Sequence, residues 1–439
     1  MAIERIENEE AGGSVRAKLN ALIDKSGHYV DLVVDYGAVG DGVANDSAAL
    51  RAALASFGAA GGVLFIPPGT YNLNSADGSD RWIARIPANV TVAGAGMGST
   101  VLKVGASIAN NAACLYSTGD NVTVRDLQVD GNKSRTGSAF NALGDGIDFE
   151  TPGKNMSVIS VLVKDCLGEG IDYDAVSGGL ISGCVVQNGG GNGIHVADDS
   201  AELVLVTSCR TSGNAAGRRT DALANYAGYV LRGRRLHLSD CFSDGDYRCL
   251  DIEARGSILV TGFWGRTQQA AHATDVGSVA RFVGTAGDMV DVTGCYFEKS
   301  GANDGVTISV DTAIKINFRN CTVRSTGAPS IMYFSAAAQV QVDGMNIIAP
   351  SSSHGFNFRD AAGTALLSGS RIETSSRAIR TRDGWLARVL SCHCTGSIDF
   401  ETNNNVAMNN VAGSATDTGT GNILRNNVLG GSFVASGTS

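Results

Sequence analysis

The chain has 439 residues, rich in glycine (57) and poor in proline (6), and its 43 acidic against 34 basic residues give a formal net charge of −9. That balance disfavours a nucleic-acid partner. Residues 1–26 are charged and amphipathic without the apolar core of a signal peptide, and no later apolar run is long enough to span a bilayer, so neither an export signal nor membrane insertion is expected.

Residues 1–31 read as a short leader. Ser14 can cap a helix whose Val15, Leu19, Leu22 and Ile23 share one side, a seam suited to a partner chain or a neighbouring element. From residue 32, LVVDYG leads to a tight turn at Gly40, Asp41 and Gly42, where glycine tolerates positive φ. A helix follows, capped by Asp46 or Ser47, with Leu50, Leu54 and Phe57 on one apolar face. Gly61 and Gly62 stop it, Val63–Ile66 is a short buried strand, and a Pro67–Gly69 turn opens the next strand at Thr70. A helix of this kind suits the open end of a stack of parallel strands, whose core would otherwise meet water.

From Ile86 the chain repeats in coils of roughly two dozen residues, each with two recognisable strands. One strand leads into a small apolar residue; Cys166, Cys184, Cys209, Cys241, Cys295, Cys321 and Cys392 fall in one phase, with Phe263 and Met345 as apolar substitutes. These cysteines are expected to stack inside and stay reduced. Cys392 and Cys394 have no second pair to complete a metal site, so none is expected. The other strand runs small, apolar, polar, apolar (GDGIDFE, GEGIDYD, GNGIHVA, YRCLDIE), and its period of two buries one face. Residues 32–411 thus form one stack, and 412–439 a tail of weakening coils.

Aligning that second strand brings outward residues together. Asp148 and Glu150 fall beside Asp172 and Asp174, followed by His195 and Ala197, Val230 and Arg232, then Asp251 and Glu253. Neighbouring coils sit about 4.8 Å apart and outward residues of one strand about 6.8 Å apart, close to the carboxylate spacings used in glycoside hydrolysis. Crowding would raise one carboxyl's pKa and leave a protonated acid beside a base. The same stripe could instead be a solvated wall. No cofactor is called for, though Asp148, Asp172 and Asp174 offer the oxygens a calcium ion takes. His195 is a base or merely an outward polar residue. Trp264, next to inward Phe263, should face out, to stack on a sugar or sit in a subunit contact. Residues 210–228 and 265–279 should leave the stack as loops; Arg218, Arg219, Arg232, Arg234 and Arg235 make the first region basic, for an anionic ligand or for neighbouring carboxylates.

The order DYGAVGDG, alanine-rich helix, IPPGTY, followed by VTVAGAGMGSTVLKV, resembles the pectate-lyase-like right-handed parallel β-helix superfamily. The resemblance implies an all-β, single-stranded right-handed parallel β-helix with an N-terminal capping helix. GDGID at Gly144–Asp148 is similar to the first acidic motif of polygalacturonase-type hydrolases, without their adjacent Asp-Asp, Gly-His-Gly or Arg-Ile-Lys. EGIDYDA resembles the coil carrying Asp-Pro-His-Glu in mannuronan epimerases, with Tyr173, Asp174 and Ala175 at its last three places. The leader SVRAKLNALIDK ahead of a β-helix looks like a phage tail spike. That likeness implies a homotrimer in the virion tail, made in the host cytoplasm, joined to tail or baseplate proteins by its N-terminal segment, and binding and cleaving host surface polysaccharide outside the cell. Three readings stay open: a hydrolase drawing its carboxylate pair from the acidic stripe, a spike that binds without turnover, and a uronate lyase or epimerase with His195 or Tyr173 as proton acceptor.

Overall fold

The computed structural model describes residues 28–435 except 79–80, 109–111, 137–143, 216–225, 268–277, 301–305, 327–329, 336–337, 350, 352–353 and 432. The expected leader helix and the loop arginines Arg218 and Arg219 lie outside the described residues. The chain divides into two compact units, residues 1–191 and 192–439.

In the first unit the chain winds through three sheets in turn. The first sheet runs from His28–Asp31 through Gly62–Ile66, Val90–Gly94, Thr123–Arg125 and Lys154–Ile159 to Ser177–Ser182. The second runs from Asp41–Asn45 to Val185–Gln187, and the third holds Trp82–Arg85, Ala113–Ser117, Ile147–Glu150 and Ile171–Asp174. Their pairings are parallel, so each strand lies one coil from its neighbour. Alternation puts Leu64, Val92, Val124, Val158 and Ile181 wholly inside.

The helix Ser47–Ala55 buries Ser47, Leu50, Ala53 and Leu54 and packs on the strand Trp82–Arg85. Its capping differs from expectation. Asp46 is the N-cap, but its carboxylate turns back to accept from the Val39 and Gly40 amides at 2.7 and 3.2 Å, while Ser47 donates to Asn45. Gly40 and Gly42 do take the positive φ expected of them, 66° and 78°, but Asp41 and Gly42 already belong to the strand Asp41–Asn45, whose register against Gly69–Leu73 is irregular.

The second unit repeats the three-sheet winding from Ile194–Ala197 to Phe433–Ala435, so strands continue past residue 411. After each strand of its first sheet the chain turns a corner through a residue in the left-handed region, Ser208, Asp240, Gly262, Gly294, Asn320, Gly344, Gly369, Ser391, Asn409 or Asn426. The next residue points inward: Cys209, Cys241, Phe263, Cys295, Cys321, Met345 and Cys392 are all buried there. In the first unit the same corner holds Leu127, Val161 and Cys184. Cys166 is therefore not in this series; it follows left-handed Asp165 at the next corner, after the strand Leu162–Lys164. That strand is so short that both corners fall within VLVKDC and look alike in sequence. All ten cysteines are buried and unbridged. Beyond Cys392, Asn410 and Asn427 replace them as a ladder in which each side-chain oxygen accepts a backbone amide of the preceding coil, at 2.8 and 2.9 Å. The fold is an all-β, right-handed parallel β-helix with an N-terminal capping helix.

Candidate active site

Four carboxyls of the first unit stand on the outer face of its third sheet. Ile147, Phe149, Ile171 and Tyr173 point into the core and are wholly buried, which turns Asp148, Glu150, Asp172 and Asp174 outward. Asp148 lies directly opposite Asp172, and Glu150 opposite Asp174. Asp148 and Asp172 are only 6% and 9% exposed and lie deepest, whereas Glu150 and Asp174 are half-buried.

One strand earlier, Tyr116 stands opposite Asp148 and Arg85 opposite Tyr116. The Tyr116 hydroxyl donates to Glu150 at 2.7 Å. Its ring stacks on Trp82 with centroids 4.2 Å apart, and the guanidinium groups of Arg81 and Arg85 lie 5.1 and 5.0 Å from the Trp82 centroid. An aromatic and cationic wall thus adjoins the acids, the mixture that recognises sugars through apolar faces and hydroxyls.

Burial, then the negative charges of Asp172, Glu150 and Asp174, push the Asp148 carboxyl up to about 8, opposed by Arg81. Burial and the bond to Glu150 raise the Tyr116 phenol. At the corner before these strands, Asp145 accepts the Glu169 amide at 2.6 Å and both side chains are buried. Burial first, then Asp172, Glu169 and Asp148, hold Asp145 well above the usual carboxylate range. Asp145 and Glu169 are the centres of the Gly-Asp-Gly and Gly-Glu-Gly motifs, a signal that sequence reasoning passed over. Trp82, Tyr116, Arg81 and Arg85 had no comparable mark.

Tyr173 is not placed to take a proton from a ligand. Its hydroxyl donates inward to the Met156 carbonyl at 3.1 Å.

In the second unit the expected register holds: His195 pairs with Val230, Val230 with Asp251, and Arg232 with Glu253. His195 is half-buried on the outer face. The acids there are tied up by arginines, however. Asp251 is fully buried between Arg248 at 2.5 Å and Arg281 at 3.0 Å, and Arg281 also reaches Glu253 at 2.8 Å. Arg281 sits in ARFV, which has Val279 where the coils of Asp148, Asp172 and His195 have glycine. Arg232 meets Asp199 at 2.8 Å, which Arg255 shares at 2.9 Å, and Arg235 pairs with Glu202. These arginines serve neighbouring carboxylates.

Trp264 does face outward, but both ring faces are occupied. Phe242 stacks on one at 4.2 Å and 6°, Tyr296 on the other at 5.6 Å and 9°. One face of a sugar ring therefore has nowhere to lie; successive coils bring outward aromatics close enough to stack on each other.

Residues 32–217 match the family described as rhamnogalacturonase A/epimerase, pectate lyase-like. Over 148 residues the chain is 34% identical to mannuronan C5-epimerase AlgE6 of Azotobacter vinelandii, covering 32% of this chain and 17% of that protein. Over 262 residues it is 24% identical to the preneck appendage protein of Bacillus phage PZA, covering 54% of this chain and 28% of that protein. The chain therefore spans less than a third of the length of either relative. A tailspike protein mutant of E. coli bacteriophage HK620, solved in complex with a hexasaccharide, shares the fold with a TM-score of 0.55 at 14% identity, over 93% of this chain and 79% of that one. Coil geometry and shared fold agree on a right-handed parallel β-helix whose residues 32–217, less than half of the chain, match a pectate-lyase-like family, and which is similar to mannuronan epimerases and to phage tailspike and appendage proteins.

Proposed function

We propose that this protein is a phage tail-spike-like depolymerase that binds host surface polysaccharide and hydrolyses it at the carboxyls of the first unit. The observation that carries the reading is Asp148, nearly buried, protonated at neutral pH and facing Asp172 in register. Asp148 donates its proton to the glycosidic oxygen as the C–O bond breaks, and a neighbouring carboxylate completes the pair. Asp172, about 4.8 Å away across the sheet, suits attack on the anomeric carbon; Asp174, on the diagonal at about 8 Å, suits activation of a water. Trp82 and Tyr116 offer apolar surface beside the cleavage point, and Arg81 and Arg85 favour an anionic glycan. No cofactor enters the scheme; calcium on Asp148, Asp172 and Asp174 would have to displace the proton that makes Asp148 an acid.

The phage relative and the tailspike fold support a virion component acting outside the cell. A homotrimer joined through residues 1–31 to tail or baseplate proteins is part of the same proposal. The test is incubation with host capsule or lipopolysaccharide. Shortened chains with new reducing ends are expected. Absorbance of an unsaturated uronate would replace the hydrolase with a lyase, and retention without shortening would leave a binding spike.

A further inference from the structure

The first sheet of the second unit carries an open cleft of about 770 Å³ on its outer face. The strands Met289–Thr293, Lys315–Arg319, Gln339–Asp343, Thr364–Ser368 and Leu386–Leu390 pair in parallel across it. Val290, Ile316, Val340, Ala365 and Ala387 are buried, so the residues on either side of each turn outward. One outward row takes in Lys315, Gln339 and Leu386, and the next takes in Asn317, Gln341, Leu366 and Arg388.

The charge of this cleft runs against that of the chain, which has 43 acidic and 34 basic residues. Among the described residues no carboxylate lines it, whereas Lys315 and Arg388 both do. Neither cation makes a side-chain hydrogen bond or an ion pair among the described residues, and both are exposed. The arginines around them are already matched: Arg319 meets Asp291, Arg371 meets Glu373, Arg377 meets Asp399, and Arg380 and Arg382 share Glu401. The acids at the margin are occupied too. Asp291 accepts from Asn317 at 2.7 Å and from Arg319 at 3.3 Å, and Asp343 accepts the Ser368 hydroxyl at 2.9 Å.

Lys315 and Arg388 lie three coils and one row apart, about 14 Å along the sheet and about 7 Å across it. Two charges so separated suit a chain that bears anionic groups at intervals. Between them Gln339 and Gln341 are exposed and without side-chain partners among the described residues, and their amides can donate to and accept from hydroxyls. Leu386, 45% exposed, and half-buried Leu366 offer apolar surface to the C–H face of a sugar ring. No aromatic ring lines the cleft for a base to stack on, which disfavours a nucleic acid. Charged side chains are depleted at the core of subunit contacts, which disfavours a second copy.

We infer that this cleft holds an anionic glycan chain without cutting it, as a site separate from the carboxyls of the first unit. The inference rests on the reading of the protein as one that acts on polysaccharide. The test uses the full chain carrying Asp148→Asn, Arg81→Gln and Arg85→Gln, so that the first unit neither cuts nor contributes its cations. This parent is titrated by calorimetry with polygalacturonate, dextran sulfate and neutral dextran. At least one of the two anionic chains is expected to bind, more weakly as salt rises, and dextran is not; the stronger of the two tells carboxylate from sulfate. Adding Lys315→Gln and Arg388→Gln together should weaken that binding about tenfold. Lys315→Arg and Arg388→Lys, which keep both charges, should leave it near the parent value. Equal affinity in the Gln variant and the parent overturns the site, as does failure of both anionic chains to bind. Equal binding of oligothymidylate overturns it in favour of a nucleic acid, and loss of self-association in the Gln variant, read by light scattering, in favour of a contact between copies. If Asp148→Asn alone still cleaves polysaccharide while the Gln variant loses affinity, the proposed active site falls and the cleft stands.

Discussion

Asp148 faces Asp172 across adjoining strands, both almost withdrawn from solvent. Two carboxyls so placed cannot both ionise cheaply, and the folded state keeps a proton on Asp148 up to about pH 8. The unfolded chain releases that proton near pH 4. Between those limits the folded state binds more protons, so the contribution of Asp148 to stability is fully present below about pH 4 and is lost as pH rises through 8. Scanning calorimetry should show a higher melting temperature at pH 6 than at pH 8, and Asp148→Asn should flatten that difference.

Asp148 and Asp251 look alike in sequence but should answer differently to substitution. Removing the proton donor with Asp148→Asn should lower cleavage about a hundredfold or more without unfolding the protein. Asp251→Ala leaves buried Arg248 and half-buried Arg281 without their carboxylate, and should cost about 3–5 kcal/mol in denaturant titration. Turnover per folded molecule should be unchanged in that variant. A reversed pattern would move the catalytic site to the second unit.

Trp264 should act as a stabilising residue. Trp264→Ala removes two stacked contacts, worth about 1–3 kcal/mol together beyond the area they bury. Glycan affinity, measured on the catalytically inactive Asp148→Asn background, should not change.

The ten cysteines should be silent in the native protein. All ten are buried, which denies a reagent access; burial also pushes the Cys114 thiol up to about 12 and raises Cys249 and Cys394, while the contact with Cys295 lowers Cys321. A colourless disulfide reagent should release no chromophore from folded protein and ten equivalents after denaturation.

How much was legible in the chain follows from what each signal depends on. Gly-Asp-Gly-Ile-Asp and Gly-Glu-Gly-Ile-Asp repeat one coil apart, and a period of two forces Asp148 and Asp172 to the same outer face. Their pairing could therefore be read directly. Asp145 and Glu169 lay in the same motifs and were missed because a corner, unlike a strand, has no period to say which way its middle residue turns. Cys166 was assigned to the wrong corner for the same reason.

The sequence by itself determined the winding, the buried face of each strand and which acids share a wall, because these depend on local alternation repeated at a nearly constant interval. Only the tertiary structure decided which acids are locked by arginines. That outcome depends on partners one or two coils away, Arg281 on Asp251, Arg232 on Asp199, Phe242 and Tyr296 on Trp264, whose spacing along the chain varies with every loop. Coulomb attraction and ring stacking act over distances in space, and only folding sets those distances.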